Sequence, residues 1–335
     1  MSSTNRKSSV VGGVIAVLLS VAIIFGALWL YFNRQYVIDL ATVATYEPTA
    51  QVSEINERVA FTDKGHFYFY ATKPEVAASA TFNQDCPRQE PSSPILGCYA
   101  SGRIYIYDIT NQQLDGIEEV TAAHEMLHAV WERMSQSERD RLTPLLEAAY
   151  KANATDELKE RIAYYERSQP GEVVNELHSI IPTEVKTLSP ELEEYYQQYF
   201  KDRQKVVAFH QQYSDVFQDL VKRADSLFAD LEQRSRTIDA NSHAYDQDVA
   251  QLSADIEAFN RRASSGDFTS IETFNAERSQ LIVRSNELDA RRQQLTQAVN
   301  DYNQLYDQYQ KIGTELEALN KSIDSISGPQ EAPSL

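Results

Sequence analysis

Apolar residues follow four different rhythms along the chain, and each predicts a different element. From Val10 to Phe32 no charged side chain interrupts a run of 23 residues. At about 1.5 Å per residue such a helix would cross a hydrocarbon core of roughly 30 Å. A transmembrane helix is therefore expected over 10–32. Cleavable signal peptides have a shorter apolar stretch of about 7 to 15 residues, although Ala16, Ala22 and Ala27 keep cleavage as an alternative. The segment from Asn33 to Glu57 is polar with scattered apolar positions and could continue as a short helix.

The second rhythm is that of strands. His66-Phe67-Tyr68-Phe69-Tyr70 and Arg103-Ile104-Tyr105-Ile106-Tyr107-Asp108-Ile109 are rich in aromatic and β-branched residues, and both are expected to be strands. The second is apolar on both faces, which suits a sheet covered by a helix. A helical period follows. Ile117 to Met134 is expected as a helix behind Gly116, with Glu118 and Glu119 at its positive end. Further helices are expected from about Ser137, with Ser137 as cap and Asp140 as its acid, from about Asp156, and over Pro170 to Ile181, where Pro182 would stop it.

From about Glu191 to Ile326 the period becomes seven. Phe217, Ala224, Leu231, Ile238, Tyr245, Leu252 and Phe259 form one series, with Val249 and Ile256 beside it. Beyond Ala263-Ser264-Ser265-Gly266-Asp267 a second series runs Phe274, Leu281, Leu288, Leu295, Tyr302, Tyr309, Leu316 and Ile323. Two heptad helices joined by a short Ser-Gly turn predict an antiparallel coiled-coil hairpin, a surface for a protein partner and independent of what precedes it.

Charge narrows the partners. Acidic residues outnumber basic ones 49 to 31, for a formal charge of −18, so nucleic acid is excluded as a natural partner. Arg6 and Lys7 precede the apolar run and only Arg34 follows closely, a bias that points to a cytoplasmic N-terminus and an exported C-terminal part. The two cysteines support that side. Cys86 and Cys98 flank a Pro-rich loop, CPRQEPSSPILGC, that could bring the sulfurs together, and a disulfide belongs in an oxidising compartment.

The candidate chemistry lies on the helix at 117–134. His124 and His128 are four residues apart, so both imidazoles leave one helix face and could share a metal ion. Glu125 beside them is placed to act as general base in metal-assisted hydrolysis. The run EEVTAAHEMLHAVW resembles the active-site helix of the zincin metallopeptidases, over roughly Tyr99 to Thr183. The resemblance implies a Zn2+ cofactor, a peptide or protein substrate, and an edge strand before the helix along which the substrate lies, for which Arg103 to Ile109 is suitably placed. WERMSQ after His128 excludes the metzincins. In the gluzincins the third ligand is a Glu from a later helix, in patterns resembling Asn-Glu-x-x-Ser or Gly-Glu-x-x-Ala-Asp, and Gly171 to Ser179 offers both. Glu176 is the favoured ligand. Glu172, one turn away, could bind instead or orient a histidine. His178 is the competing ligand, about 200° round the helix from Glu176. Tyr164 and Tyr165 could polarise a carbonyl or pack in the core. His66, His210 and His243 have no partner pattern and are expected in solvent.

The expected fold is mainly α with a small α+β zincin-like domain. It comprises a cytoplasmic tail over 1–9, the membrane helix, a metallopeptidase domain over 33–186, the hairpin over 187–326 and a disordered tail over 327–335. The expected function is that of a membrane-anchored zinc peptidase outside the cytoplasmic membrane. The alternative is a non-catalytic coiled-coil envelope scaffold with a zincin-like structural or binding domain.

Overall fold

The computed structural model describes residues 4–88 and 94–326, with side chains from Val14 onward. The tail expected over 327–335 and the first three residues of the N-terminal tail lie outside the described residues. The chain divides into two compact units, Met1–Val216 with Asn320–Leu335, and Phe217–Leu319.

The first unit opens with α1 (Thr4–Phe32). From Val14 to Phe32 none of its side chains is buried, and its length and apolar composition fit a membrane anchor or a signal sequence. Then come α2 (Arg34–Thr45), α3 (Ala50–Val59) and α4 (Asp63–Ala71). Helix α4 replaces the strand expected over 66–70. Thr62 caps it by accepting from the Gly65 amide, and the aromatic run holds no β-branched residue to resist helical χ1 angles. Gly65 is required there, because a Cβ would lie 2.2 Å from the Tyr199 carbonyl oxygen.

A small sheet follows, β1 (Glu75–Ala77), β2 (Gly97–Ala100) and β3 (Arg103–Tyr107), in the order β1-β3-β2, with α5 (Ser79–Asp85) between the first two. β1 runs parallel to β3 and β2 antiparallel to it. The turn from β2 to β3 has positive φ at Ser101 and Gly102, the backbone of a type I′ hairpin. The expected strand at 103–109 is thus real over 103–107 but central. The edge is β2, which lies inside and just beyond the loop closed by the Cys86–Cys98 disulfide.

Helix α6 (Ile117–Arg133) covers the sheet and is buried on nearly every side. Met126, Leu127 and Val130 join Ile104 and Ile106 of β3 in one core. α7 (Gln136–Asn153) is capped by Ser135 with Glu138 reaching back, not by Ser137 and Asp140: the capping box lies two residues earlier. α8 (Asp156–Ser168) follows as expected.

Helix α9 (Val173–Glu184) contains Pro182 rather than stopping before it. A proline amide cannot bond the carbonyl four residues back, which is that of His178, and the Tyr196 hydroxyl donates to it instead at 2.9 Å. Arg203 Nη1 donates to the Pro182 carbonyl at 2.9 Å. Both partners come from the region expected to start the hairpin. In fact α10 (Pro190–Tyr196) and the first turns of α11 (Arg203–Ser265) belong to this unit, and Leu192, Tyr196, Phe200 and Val206 are buried in its core. The unit is completed by the C-terminal segment. Asn83 exchanges two hydrogen bonds with Ser325, at 2.9 and 2.6 Å, and Arg88 pairs with Asp324 at 2.5 Å.

In the second unit α11 and α12 (Ile271–Ile323) form the hairpin. Arg262–Glu277, Asp255–Arg284 and Asp248–Arg291 are paired across it. Each pair is equidistant from the turn, which fixes the antiparallel register. Leu231 and Leu252 of the first heptad series are buried, as are Leu220, Ile312 and Leu319.

Candidate metal centre

Three side chains from two helices meet in this unit. His124 and His128 lie one turn apart on α6, with their Nε2 atoms 3.1 Å apart. Glu176 enters from α9, its Oε2 3.6 Å from His124 Nε2 and its Oε1 3.8 Å from His128 Nε2. Nitrogen and oxygen ligands about 2.0–2.2 Å from a tetrahedral centre stand roughly 3.3–3.6 Å from one another, so the cluster already has the spacing of a ligand set. All three ligand atoms fall within 4.8 Å of each other, and the group can hold a metal ion.

Two further details fit a cation. Glu176 Oε2 is buried with no hydrogen-bond partner, a costly state for a carboxylate oxygen unless a positive charge faces it. The tautomer of His128 is also set. Asn175 Nδ2 donates to Glu172 Oε2 at 3.0 Å, which orients the amide so that its Oδ1 accepts from His128 Nδ1 at 2.9 Å. With the proton on Nδ1, the Nε2 lone pair points into the cluster. Glu172 therefore stands one step behind the ligands at the α9 N-cap, acting on His128 through Asn175.

His178 is directed elsewhere. Its ring packs against Trp131, Tyr195 and Tyr196, and Nε2 bonds the Tyr195 hydroxyl at 2.8 Å. Burial pushes its pKa down to about 3, so it is a neutral core histidine on the far side of α9. His66 bonds Asn56 Oδ1 at 3.0 Å and His210 lies 3.5 Å from Glu184. Neither is free in solvent as expected. His243 is exposed.

The electrostatics divide the two carboxylates. Burial raises the pKa of Glu125, against the pull of His124 and His128 and with the help of Glu176. For Glu176 burial acts in the same direction but is outweighed by the nearby His128 and His124 imidazoles and the Tyr165 hydroxyl, so its pKa is lowered. One acid is poised to take a proton and the other is held ionised.

Strand β2 was not legible as a site element, yet it borders Glu125. A Cβ on Gly97 would come within 2.5 Å of Thr121 Cγ2 and 3.0 Å of Glu125 Cγ, so glycine permits the close approach. The Tyr99 amide donates to the Glu125 carboxylate. Because Tyr107 N bonds Leu96 O across the pair, antiparallel alternation turns the Gly97 and Tyr99 backbone away from β3 and toward the site. The Ser101-Gly102 turn followed by RIYIY was the signal for this hairpin in the sequence. Between β2 and the residues Arg161, Tyr164 and Tyr165 of α8 lies a cleft of about 660 Å³ with His124, Glu125 and Glu176 in its wall. Compared with known proteins, the chain matches no family model, no curated protein and no solved structure.

Proposed function

We propose that the chain is a membrane-anchored zinc peptidase acting outside the cytoplasmic membrane, with His124, His128 and Glu176 as metal ligands and Glu125 as general base. What carries this reading is the convergence of two imidazole nitrogens and a partnerless Glu176 oxygen beside a second buried carboxylate, in the wall of an open cleft. Bound zinc would supply Lewis-acid polarisation of a carbonyl and make water acidic enough to lose a proton near neutrality.

The remaining work falls to side chains of this chain. Glu125, with its raised pKa, takes the proton from the attacking water and hands it to the departing amine. Asn175 and Glu172 keep His128 in the tautomer that can bind metal. The outward Gly97 amide and the outward carbonyls of Gly97 and Tyr99, the Tyr99 amide being taken up by Glu125, offer a peptide the donor and acceptors of a missing strand, so a substrate is held extended across Glu125. The N-terminal charge bias and the Cys86–Cys98 bond both favour the exported side.

The experiment compares wild type with Glu125→Gln after zinc stoichiometry has been measured on each. Equal zinc with hydrolysis of a mixed peptide library reduced by at least a hundredfold is expected. A second reading is favoured by the hairpin, whose arms of 63 and 53 residues suit a scaffold. Zinc-loaded wild type that cleaves no peptide would establish it.

A further inference from the structure

The apolar N-terminal helix and the metal cluster are joined by rigid parts. The amide of Asn33 bonds Trp29 O and that of Val37 bonds Asn33 O, so the helical ladder runs from α1 into α2 across their junction. Asp39, seven residues beyond Phe32, is 3% exposed. Its carboxylate accepts from Arg133 Nε at 2.7 Å and Nη2 at 2.9 Å, and from Gln35 at 2.9 Å. Arg133 is the last residue of α6, five beyond His128, and its Nη1 donates to the hydroxyl of Tyr99 at 3.0 Å. Tyr99 is also the β2 residue whose amide holds Glu125. The rings of Tyr36 and Phe67, 5.8 Å apart, fasten α2 to α4.

These links set the height of the site. Seven residues of α2 rise about 10 Å and five of α6 about 7 Å. The Asp39–Arg133 connection between the two backbones adds roughly 10 Å. His128 therefore lies within about 30 Å of the end of the apolar span, whatever the angle between the helices. An extended chain covers that distance in about nine residues. Tyr36, Ile38 and Leu40 of α2 are each about half exposed, at 53, 50 and 51%, and follow Tyr31 and Phe32 at 74 and 78%. Aromatic residues at the end of a span, followed by exposed apolar side chains on the next helix, fit the boundary between lipid headgroups and water.

We infer that the substrates are polypeptides anchored in the same bilayer and cut within about ten residues of its surface. This rests on the reading of the site as a peptidase and of α1 as a membrane span. A desolvated ion pair holds two groups in one geometry because losing either partner leaves a buried charge. Asp39 and Arg133 thus keep the cleft at one height, where a soluble chain has no advantage and a neighbouring anchored chain is concentrated.

The test uses full-length protein in phosphatidylcholine vesicles and a segment that the enzyme cleaves in a peptide library. The segment is offered free, directly after a single transmembrane helix, or raised beyond a folded domain of about 40 Å on the same helix. Cleavage next to the span is expected at least tenfold faster than cleavage of the raised form. A second enzyme carries a flexible 15-residue Gly-Ser insertion between Asn33 and Arg34, which leaves Asp39 and Arg133 paired and adds about 20 Å of reach. It should cut the raised form nearly as well as the near one and the free segment at the unmodified rate. Equal cleavage of near and raised forms by the unmodified enzyme overturns the inference and leaves the peptidase reading standing. Failure to cleave any library peptide overturns both.

Discussion

The Tyr196 hydroxyl donates to the His178 carbonyl at 2.9 Å, in the place that the Pro182 amide would take in an ordinary helix. The last turn of α9 thus depends on α10, and the residues on either side of Tyr196 fill the core around Leu188, Tyr195 and Phe200. Tyr196→Phe keeps the ring and removes the donor from a buried carbonyl. Unfolding in urea should show a loss of about 1–3 kcal/mol. A chain ending at Lys186 should lose cooperative unfolding altogether, whereas one in which the hairpin tip is trimmed should retain it.

Glu176 and His178 sit two residues apart on α9 and should answer differently to removal. Glu176→Ala deletes one of the three converging ligands, and zinc per chain after dialysis should fall well below one equivalent. His178→Phe should leave the metal in place and act on stability alone, because the imidazole is buried among Trp131, Tyr195 and Tyr196. Metal loss in the His178 variant with full retention in the Glu176 variant would falsify the ligand assignment.

Asn175 touches no metal yet holds the His128 ring. Asn175→Ala should weaken zinc affinity by about 10- to 100-fold, measured by competition with a chelator. Glu172→Gln acts one bond further away and should have a smaller effect. If Asn175→Ala binds zinc as tightly as wild type, the amide has no part in setting the tautomer.

The Cys86–Cys98 bond closes a loop with a sequence separation of 12 and ends on β2, whose next residue bonds Glu125. Replacing both cysteines with serine should cost about 3 kcal/mol by loop-closure entropy. It should also raise the hydrogen-exchange rate of the Tyr99 amide relative to that of Ile104 in the central strand. A double variant with unchanged protection at Tyr99 would mean that the strand is positioned by α6 alone.

Much of this was written in local sequence. The apolar run at 10–32, the heptads and the pair of histidines are periodic signals, and each lies on a helix: α6 formed with nearly the expected bounds, whereas α1 begins earlier, at Thr4, and the hairpin arm begins at Arg203 rather than near Glu191. The failures have physical causes. His66 to Tyr70 lacks β-branched residues, and the Thr62 cap was decisive where aromatic content was misleading. Pro182 remains helical only because Tyr196 and Arg203, distant in sequence, supply what its ring removes. In the site, His124, Glu125 and His128 share a helix face by spacing alone. The pattern over Gly171 to Ser179 already favoured Glu176 over His178, whereas the presence of β2 beside Glu125 depends on how the disulfide loop packs, which no window of sequence contains.

The strap formed by Ser325 and Asp324 on Asn83 and Arg88 has a consequence for the order of events during synthesis. Arg88 and Asp324 are 236 residues apart, an interval of about 10–50 s at ordinary elongation rates. During that time the cysteine loop is already made while the segment that seals it is not. Oxidation can therefore precede the closure of Asp324 and Ser325 onto the residues flanking Cys86.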